Sequence, residues 1–97
     1  MTGENKNSSA SGTFTIINRL GMHARAAAQF VQLANNFKSE IYVARDGQEI
    51  NGKSIMGILM LAATQGSEIT VRAEGEDAER VVEVLGELIN NRFGEEE

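Results

Sequence analysis

The spacing of hydrophobic positions along this chain switches between steps of two and steps of three or four, and each switch marks the border of an element. Thr13 to Asn18 alternates around Phe14 and Ile16 with threonines between them, which predicts a half-buried strand. A turn at Gly21 follows. From Ala24 to about Phe37, the residues Ala27, Phe30, Val31, Ala34 and Phe37 recur at helical steps and form one stripe, with Arg25, Gln29, Gln32 and Asn36 off it. Glu40 to Arg45 places Ile41 and Val43 on one face of a second strand. Asp46-Gly47 is a hairpin signal, so Gln48 to Asn51 returns as a short third strand that ends at Asn51-Gly52.

Ser54 is placed to cap a second helix through Ile55 to Ala63, stopped by Gln65-Gly66. Ser67 to Glu74 alternates with Ile69, Val71 and Ala73 inward and Glu68, Thr70 and Arg72 outward. Gly75-Glu76-Asp77 opens a last helix whose stripe is Ala78, Val81, Val82, Leu85, Leu88 and Ile89. There is no internal repeat. The order β-α-β-β-α-β-α predicts an α+β domain, an antiparallel sheet covered on one face by helices.

Length and composition narrow the functional classes. A chain of 97 residues, 41% hydrophobic and 24% charged, suits one packed domain. The formal net charge is -5, and Glu95, Glu96 and Glu97 supply three of those charges. No basic stripe offers a footprint for nucleic acid or for anionic lipid. With no cysteine and one histidine, thiolate and zinc sites are not expected, and neither is a cofactor. Residues 1–12 are rich in Ser, Asn and Gly and are expected to form a flexible tail. Residues 13–93 form the expected domain, and residues 94–97 a solvated acidic tail. No signal peptide or membrane-spanning run is visible, so the expected location is the cytoplasm and the expected state a monomer.

The candidate chemistry lies in the stretch from Asn18 to Ala28. His23 falls at or beside a helix N-cap, where backbone N–H groups are free and the macrodipole is positive. An anion is well placed at such an end, and the amides of Ala24 and Arg25, with the mobile charge of Arg25, are the candidate phosphate contacts. A neutral imidazole there is a place where a phosphoryl group could be received. Taken alone, however, a histidine at a helix start is more often an ordinary surface residue. Ser54 at a helix start is likewise most often only a cap. The helix after Ser54 lacks a polar face, and a two-layer fold with one open face cannot bury all of it, so some of Ile55, Met56, Leu59 and Met60 must lie near solvent.

Gly21-Met22-His23-Ala24-Arg25 resembles the active-site motif of HPr, the histidine-containing phosphocarrier family of the phosphoenolpyruvate-dependent sugar phosphotransferase system. Asn51-Gly52-Lys53-Ser54-Ile55-Met56-Gly57-Ile58 is similar to the second signature of that family, around its regulatory serine. Gln65-Gly66-Ser67-Glu68-Ile69 and Gly75-Glu76-Asp77-Ala78 also sit where the family has such residues. The likeness runs from Thr13 to Phe93, and two separate motifs at the right spacing make it specific.

The resemblance implies an open-faced β-sandwich with sheet order 1-4-2-3 and three helices on one face. It implies that His23 takes a phosphoryl group on Nδ1 from phosphorylated Enzyme I and passes it to a histidine of an EIIA-type domain, as a stoichiometric carrier and not a turnover enzyme. It implies that Ile55, Met56 and Leu59 belong to the docking surface. It makes Ser54 a candidate for regulatory phosphorylation, because in part of the family an HPr kinase/phosphorylase modifies the matching serine. One departure is visible: Ala26 stands where the family usually has proline, which is expected to loosen the first helical turn and add a free N–H donor. The alternative to a carrier is a regulatory binding module, related to nitrogen control or governed by Ser54, that acts through partner association. Sugar-uptake and regulatory branches of the family remain equally open.

Overall fold

The computed structural model describes residues 8–97. Strand β1 (Ser9–Thr15) is followed by helix α1 (Ala24–Ala34), the strands β2 (Glu40–Arg45) and β3 (Gln48–Asn51), and helix α2 (Ile55–Met60). Strand β4 (Glu68–Glu74) and helix α3 (Ala78–Asn90) come next, and a short 3-10 turn (Arg92–Gly94) ends the sequence of elements. The four strands form one antiparallel sheet in the order β1-β4-β2-β3, as the resemblance implied.

Inward residues alternate as the sequence pattern requires. Ile41 and Val43 of β2 and Ile69, Val71 and Ala73 of β4 are buried beneath the helices. Helix α1 contributes Ala26, Ala27, Phe30, Val31 and Ala34 to this core, and α3 contributes Ala78, Val81, Leu85 and Ile89. Gly86 lets α3 approach β1 closely, since a Cβ there would lie 2.5 Å from the Phe14 ring. The opposite face of the sheet is polar. Arg72 bonds Glu49 and Glu74 there and lies 4.3 Å over the Tyr42 ring, its cross-strand neighbour. Asp46 and Gly47 both take positive φ in the β2–β3 turn, matching the hairpin signal.

Several borders differ from the sequence expectation. Strand β1 spans Ser9–Thr15 and not Thr13 to Asn18, so Ser9 to Gly12, expected in the tail, are strand; the first seven residues of that tail lie outside the described residues. Ser, Ala and Gly carry little strand propensity of their own, and pairing with β4 along Glu68–Glu74 supplies what they lack. Helix α1 stops at Ala34 and not near Phe37. Asn35 turns its side chain back to the Val31 carbonyl at 3.0 Å, the amides of Asn36 and Phe37 tighten to the Leu33 and Ala34 carbonyls three residues back at 3.1 and 3.2 Å, and those of Lys38 and Ser39 are taken by Asp77. Helix α2 ends at Met60 and not at Ala63. The Leu61 carbonyl accepts from Arg45, Ala62 takes a left-handed φ of 52°, and the Ala63 carbonyl accepts from the Met22 amide.

Candidate functional site

His23 sits where the chain passes from a constrained loop into α1. Gly21 has φ +69°, and a Cβ on it would lie 2.7 Å from the Ala63 carbonyl oxygen, so this close approach requires glycine. The next amide, of Met22, donates to that same carbonyl at 2.9 Å, and the Met22 side chain is buried. Asn18, fully buried, closes the loop from the other side: its Nδ2 donates to the Gly21 carbonyl at 2.9 Å. The loop is held at both ends before the helix begins.

At the N-cap of α1, His23 has extended backbone angles and its carbonyl accepts from Ala27 at 2.8 Å. Its ring caps the helix: Nδ1 accepts from the Arg25 amide at 3.3 Å. No acidic residue occupies the first turn, so the positive end of the helix is not neutralised from within. Ala26 is fully buried in this turn, the place where the family usually carries proline. The Arg25 side chain is exposed beside the histidine.

The other ring nitrogen meets a group that the sequence pattern gave no role. Nε2 of His23 bonds the Glu95 carboxylate, whose second oxygen accepts from Asn18 Nδ2 at 2.9 Å. Glu95 belongs to the run expected to be a solvated tail, yet its side chain is only 14% exposed and that of His23 is 26% exposed. The correction has a physical source just upstream. Arg92 and Phe93 take positive φ, the Phe93 side chain enters the core, and the chain turns back towards the Asn18 loop. The Arg19 amide then donates to the Glu97 carbonyl, and the Arg19 guanidinium lies 3.4 Å from the Glu97 carboxylate. An apolar Phe93 followed by Gly94, beyond the last helical stripe, is the signal that could have marked this return.

The hydrogen bond from His23 is the main influence that holds the Glu95 carboxyl below the usual carboxylate range. The Asn18 bond helps, burial opposes, and the nearby charge of Arg25 adds to the lowering. An open depression of about 390 Å³ adjoins the pair, lined by Arg19, Leu20, Arg25, Glu95, Glu96 and Glu97. Among the described residues, no group of three or more His, Cys, Asp or Glu side chains is placed to hold a metal ion.

Ser54 is the N-cap of α2, with its Oγ accepting from the Gly57 amide at 3.0 Å. Ile58 is the buried side of that helix. Ile55, Met56, Leu59 and Met60 are exposed, at 43%, 69%, 36% and 64%, and Leu20 and Ile17 are exposed as well. Among the described residues, no helix is long and apolar enough to cross a membrane.

The chain is thus a small open-faced α+β sandwich that presents its single histidine at a helix N-cap, beside an exposed arginine and an open depression. Residues 10–91 match the family model described as the PTS HPr component phosphorylation site. The phosphocarrier protein HPr of Cupriavidus necator is 51% identical over 83 residues, which cover 86% of this chain and 93% of that protein. The phosphocarrier protein HPr of Neisseria meningitidis serogroup A is 49% identical over 82 residues, 84% of this chain and 92% of that one. The crystal structure of HPr from Thermoanaerobacter tengcongensis superposes with a TM-score of 0.88 at 45% identity, covering 91% of this chain and 99% of that one. The chain belongs to the HPr family of phosphocarrier proteins of the phosphotransferase system.

Proposed function

We propose that the chain accepts a phosphoryl group on Nδ1 of His23 from phosphorylated Enzyme I and passes it to a histidine of an EIIA-type domain. It is a stoichiometric intermediate and not a turnover enzyme. The observation that carries this is the direction of the ring: Nδ1 faces the amide of Arg25 at the N-terminus of α1. A phosphoryl group on Nδ1 enters the field of the first-turn amides of Ala24 and Arg25, with the Arg25 side chain free to reach its oxygens. Imidazole is nucleophilic near neutral pH, and the P–N bond it forms is labile enough to be handed on. A helix end contributes about 0.3–1 kcal/mol to an anion, enough to bias the transfer without trapping the group.

The exposed side chains of Ile55, Met56 and Leu59 are the docking surface for both partners, since flexible methionine and aliphatic groups adapt to surfaces of different shape. Ser54 is a candidate for phosphorylation by an HPr kinase/phosphorylase. A phosphate at that cap would put negative charge on the docking face. The carrier works in the cytoplasm as a monomer. The same exposed apolar surface also supports a second reading, a regulatory module that binds partners and carries nothing.

The deciding experiment is intact-mass analysis after incubation with phosphoenolpyruvate, magnesium and Enzyme I. The expected result is one added phosphoryl group, acid-labile and base-stable, that is absent from His23→Ala. No added mass with a cognate Enzyme I would leave only the binding module.

A further inference from the structure

Both nitrogens of His23 are engaged, from opposite sides of the ring, by groups that demand the same tautomer. Nδ1 accepts from the Arg25 amide and therefore bears no hydrogen. Nε2 bonds a carboxylate oxygen of Glu95, and an ionised carboxylate only accepts, so Nε2 must carry the N–H. We propose that Glu95 is a positioning residue for phosphoryl transfer: it holds the ring proton on Nε2 and so keeps Nδ1 unprotonated, with a lone pair that attacks phosphorus once it exchanges its weak contact with the Arg25 amide for the incoming group. The proposal rests on the carrier function stated above.

Glu95 is itself positioned. Its other carboxylate oxygen accepts from Nδ2 of Asn18, and Asn18 is fully buried with a second bond to the Gly21 carbonyl. The backbone that delivers it is anchored by buried Phe93 and by the bond from the Arg19 amide to the Glu97 carbonyl. The depressed carboxyl of Glu95 agrees with an acceptor that stays ionised. Among the charged groups around the ring, Arg19, Arg25, Glu96 and Glu97 line the adjoining depression, and α2 brings no titratable side chain.

The transfer balances without moving a proton on His23. The Nδ1 lone pair forms the new N–P bond, the bond between phosphorus and the leaving atom of phosphorylated Enzyme I breaks, and that atom keeps the electron pair. The ring becomes an imidazolium substituted at Nδ1 and still protonated at Nε2, facing the Glu95 carboxylate.

Two substitutions separate positioning from mere packing. Glu95→Ala removes the acceptor and leaves Nε2 to water. Glu95→Gln is worse, because a carboxamide has one oxygen for two donors. With the oxygen kept by Asn18, its NH2 faces Nε2 and stabilises the tautomer with hydrogen on Nδ1, the wrong one for attack. Ring nitrogen NMR correlations of His23 in the unphosphorylated full chain should show the Nε2–H tautomer in the wild type and a shift towards Nδ1–H in Glu95→Gln. The rate of phosphorylation by Enzyme I should fall about ten-fold in Glu95→Gln, with Glu95→Ala in between. An unchanged tautomer in Glu95→Gln overturns the proposal, as does a shifted tautomer with a transfer rate within two-fold of wild type. Should the wild type itself take no phosphoryl group, the carrier function fails and the proposal with it, an outcome recognised without reference to either variant.

Discussion

Asp77 occupies the N-cap position of α3 but makes no side-chain cap within its own helix. Its carboxylate reaches across to the segment between α1 and β2. One oxygen accepts from the Lys38 amide at 3.0 Å, and the other accepts from the Ser39 amide at 3.0 Å and from the Ser39 hydroxyl. Ser39 is 1% exposed, so its two donors have no water to turn to when Asp77 becomes Ala. A buried donor left unpaired costs about 1–3 kcal/mol, whereas the Lys38 amide lies in an exposed contact and rehydrates. Asp77→Ala should therefore lose about 2–6 kcal/mol. That is a large share of the roughly 5–15 kcal/mol expected for a domain of this size. At about 4–8 °C per kcal/mol the melting temperature should fall by at least about 8 °C. Urea unfolding followed by far-ultraviolet circular dichroism measures the loss, and a variant within 0.5 kcal/mol of wild type would refute the assignment.

The same contact fixes a pH dependence. The Ser39 hydroxyl, more than any other group, holds the Asp77 carboxyl below its ordinary range, aided by the Lys38 and Ser39 amides and opposed by burial. With the folded value below the unfolded one, the unfolded chain binds the proton more readily, so stability rises with pH. The contribution of Asp77 is complete above the unfolded value of about 4 and disappears as pH falls through the lower folded value. Glu95, also depressed, contributes in the same direction. Between about pH 5 and pH 2 the wild type should thus lose more stability than Asp77→Asn does, in paired urea titrations.

Two further substitutions probe the frame of the site. Gly21→Ala forces a side chain into a left-handed conformation at about 1–2 kcal/mol and drives its Cβ against the Ala63 carbonyl. It should lower stability by about 2 kcal/mol or more, and a fully stable variant would show that the loop does not depend on this approach. Ser54→Ala removes the cap on the Gly57 amide and should cost about 1 kcal/mol, which Ser54→Asp should restore as an alternative cap. Equal unfolding midpoints for wild type and Ser54→Ala would remove the cap from the account.

What was legible in the sequence was what local spacing controls. The β2–β3 hairpin, the alternation of β4 and the stripe of α3 each follow from residues close in sequence, and each stands where it was expected. What was not legible depends on partners far along the chain. Ser9 to Gly12 become strand only because β4 pairs with them, and α2 shortens because Arg45 and Met22 take carbonyls beyond Met60. His23 and Arg25 were visible as a pair two residues apart. Glu95 was not, because it reaches His23 across 72 positions of sequence and through a left-handed turn at Arg92 and Phe93 that no periodicity announces. Asn18 is similar: an asparagine before a glycine turn reads as a loop residue, and its burial between Gly21 and Glu95 is a tertiary fact.

The surroundings of His23 divide by sign across the ring. On the Nδ1 side lie the first-turn amides of α1, with no acidic residue among them. On the Nε2 side lies the Glu95 carboxylate. In a carrier, that division matches the charge of the phosphorylated side chain, a cationic ring bonded at Nδ1 to an anionic phosphoryl group. The bond to Glu95 has an ionised acceptor in both states, about 1.5–3 kcal/mol, and gains a further Coulomb attraction as the ring becomes cationic. A gain of about 1 kcal/mol shifts the transfer equilibrium towards phosphorylated His23 by roughly five-fold. A much larger gain would hold the phosphoryl group against the next acceptor, and the opposite sign would hinder its arrival. The partial exposure of both His23 and Glu95 keeps the effect within that range, because solvent screens the pair that the fold brings together.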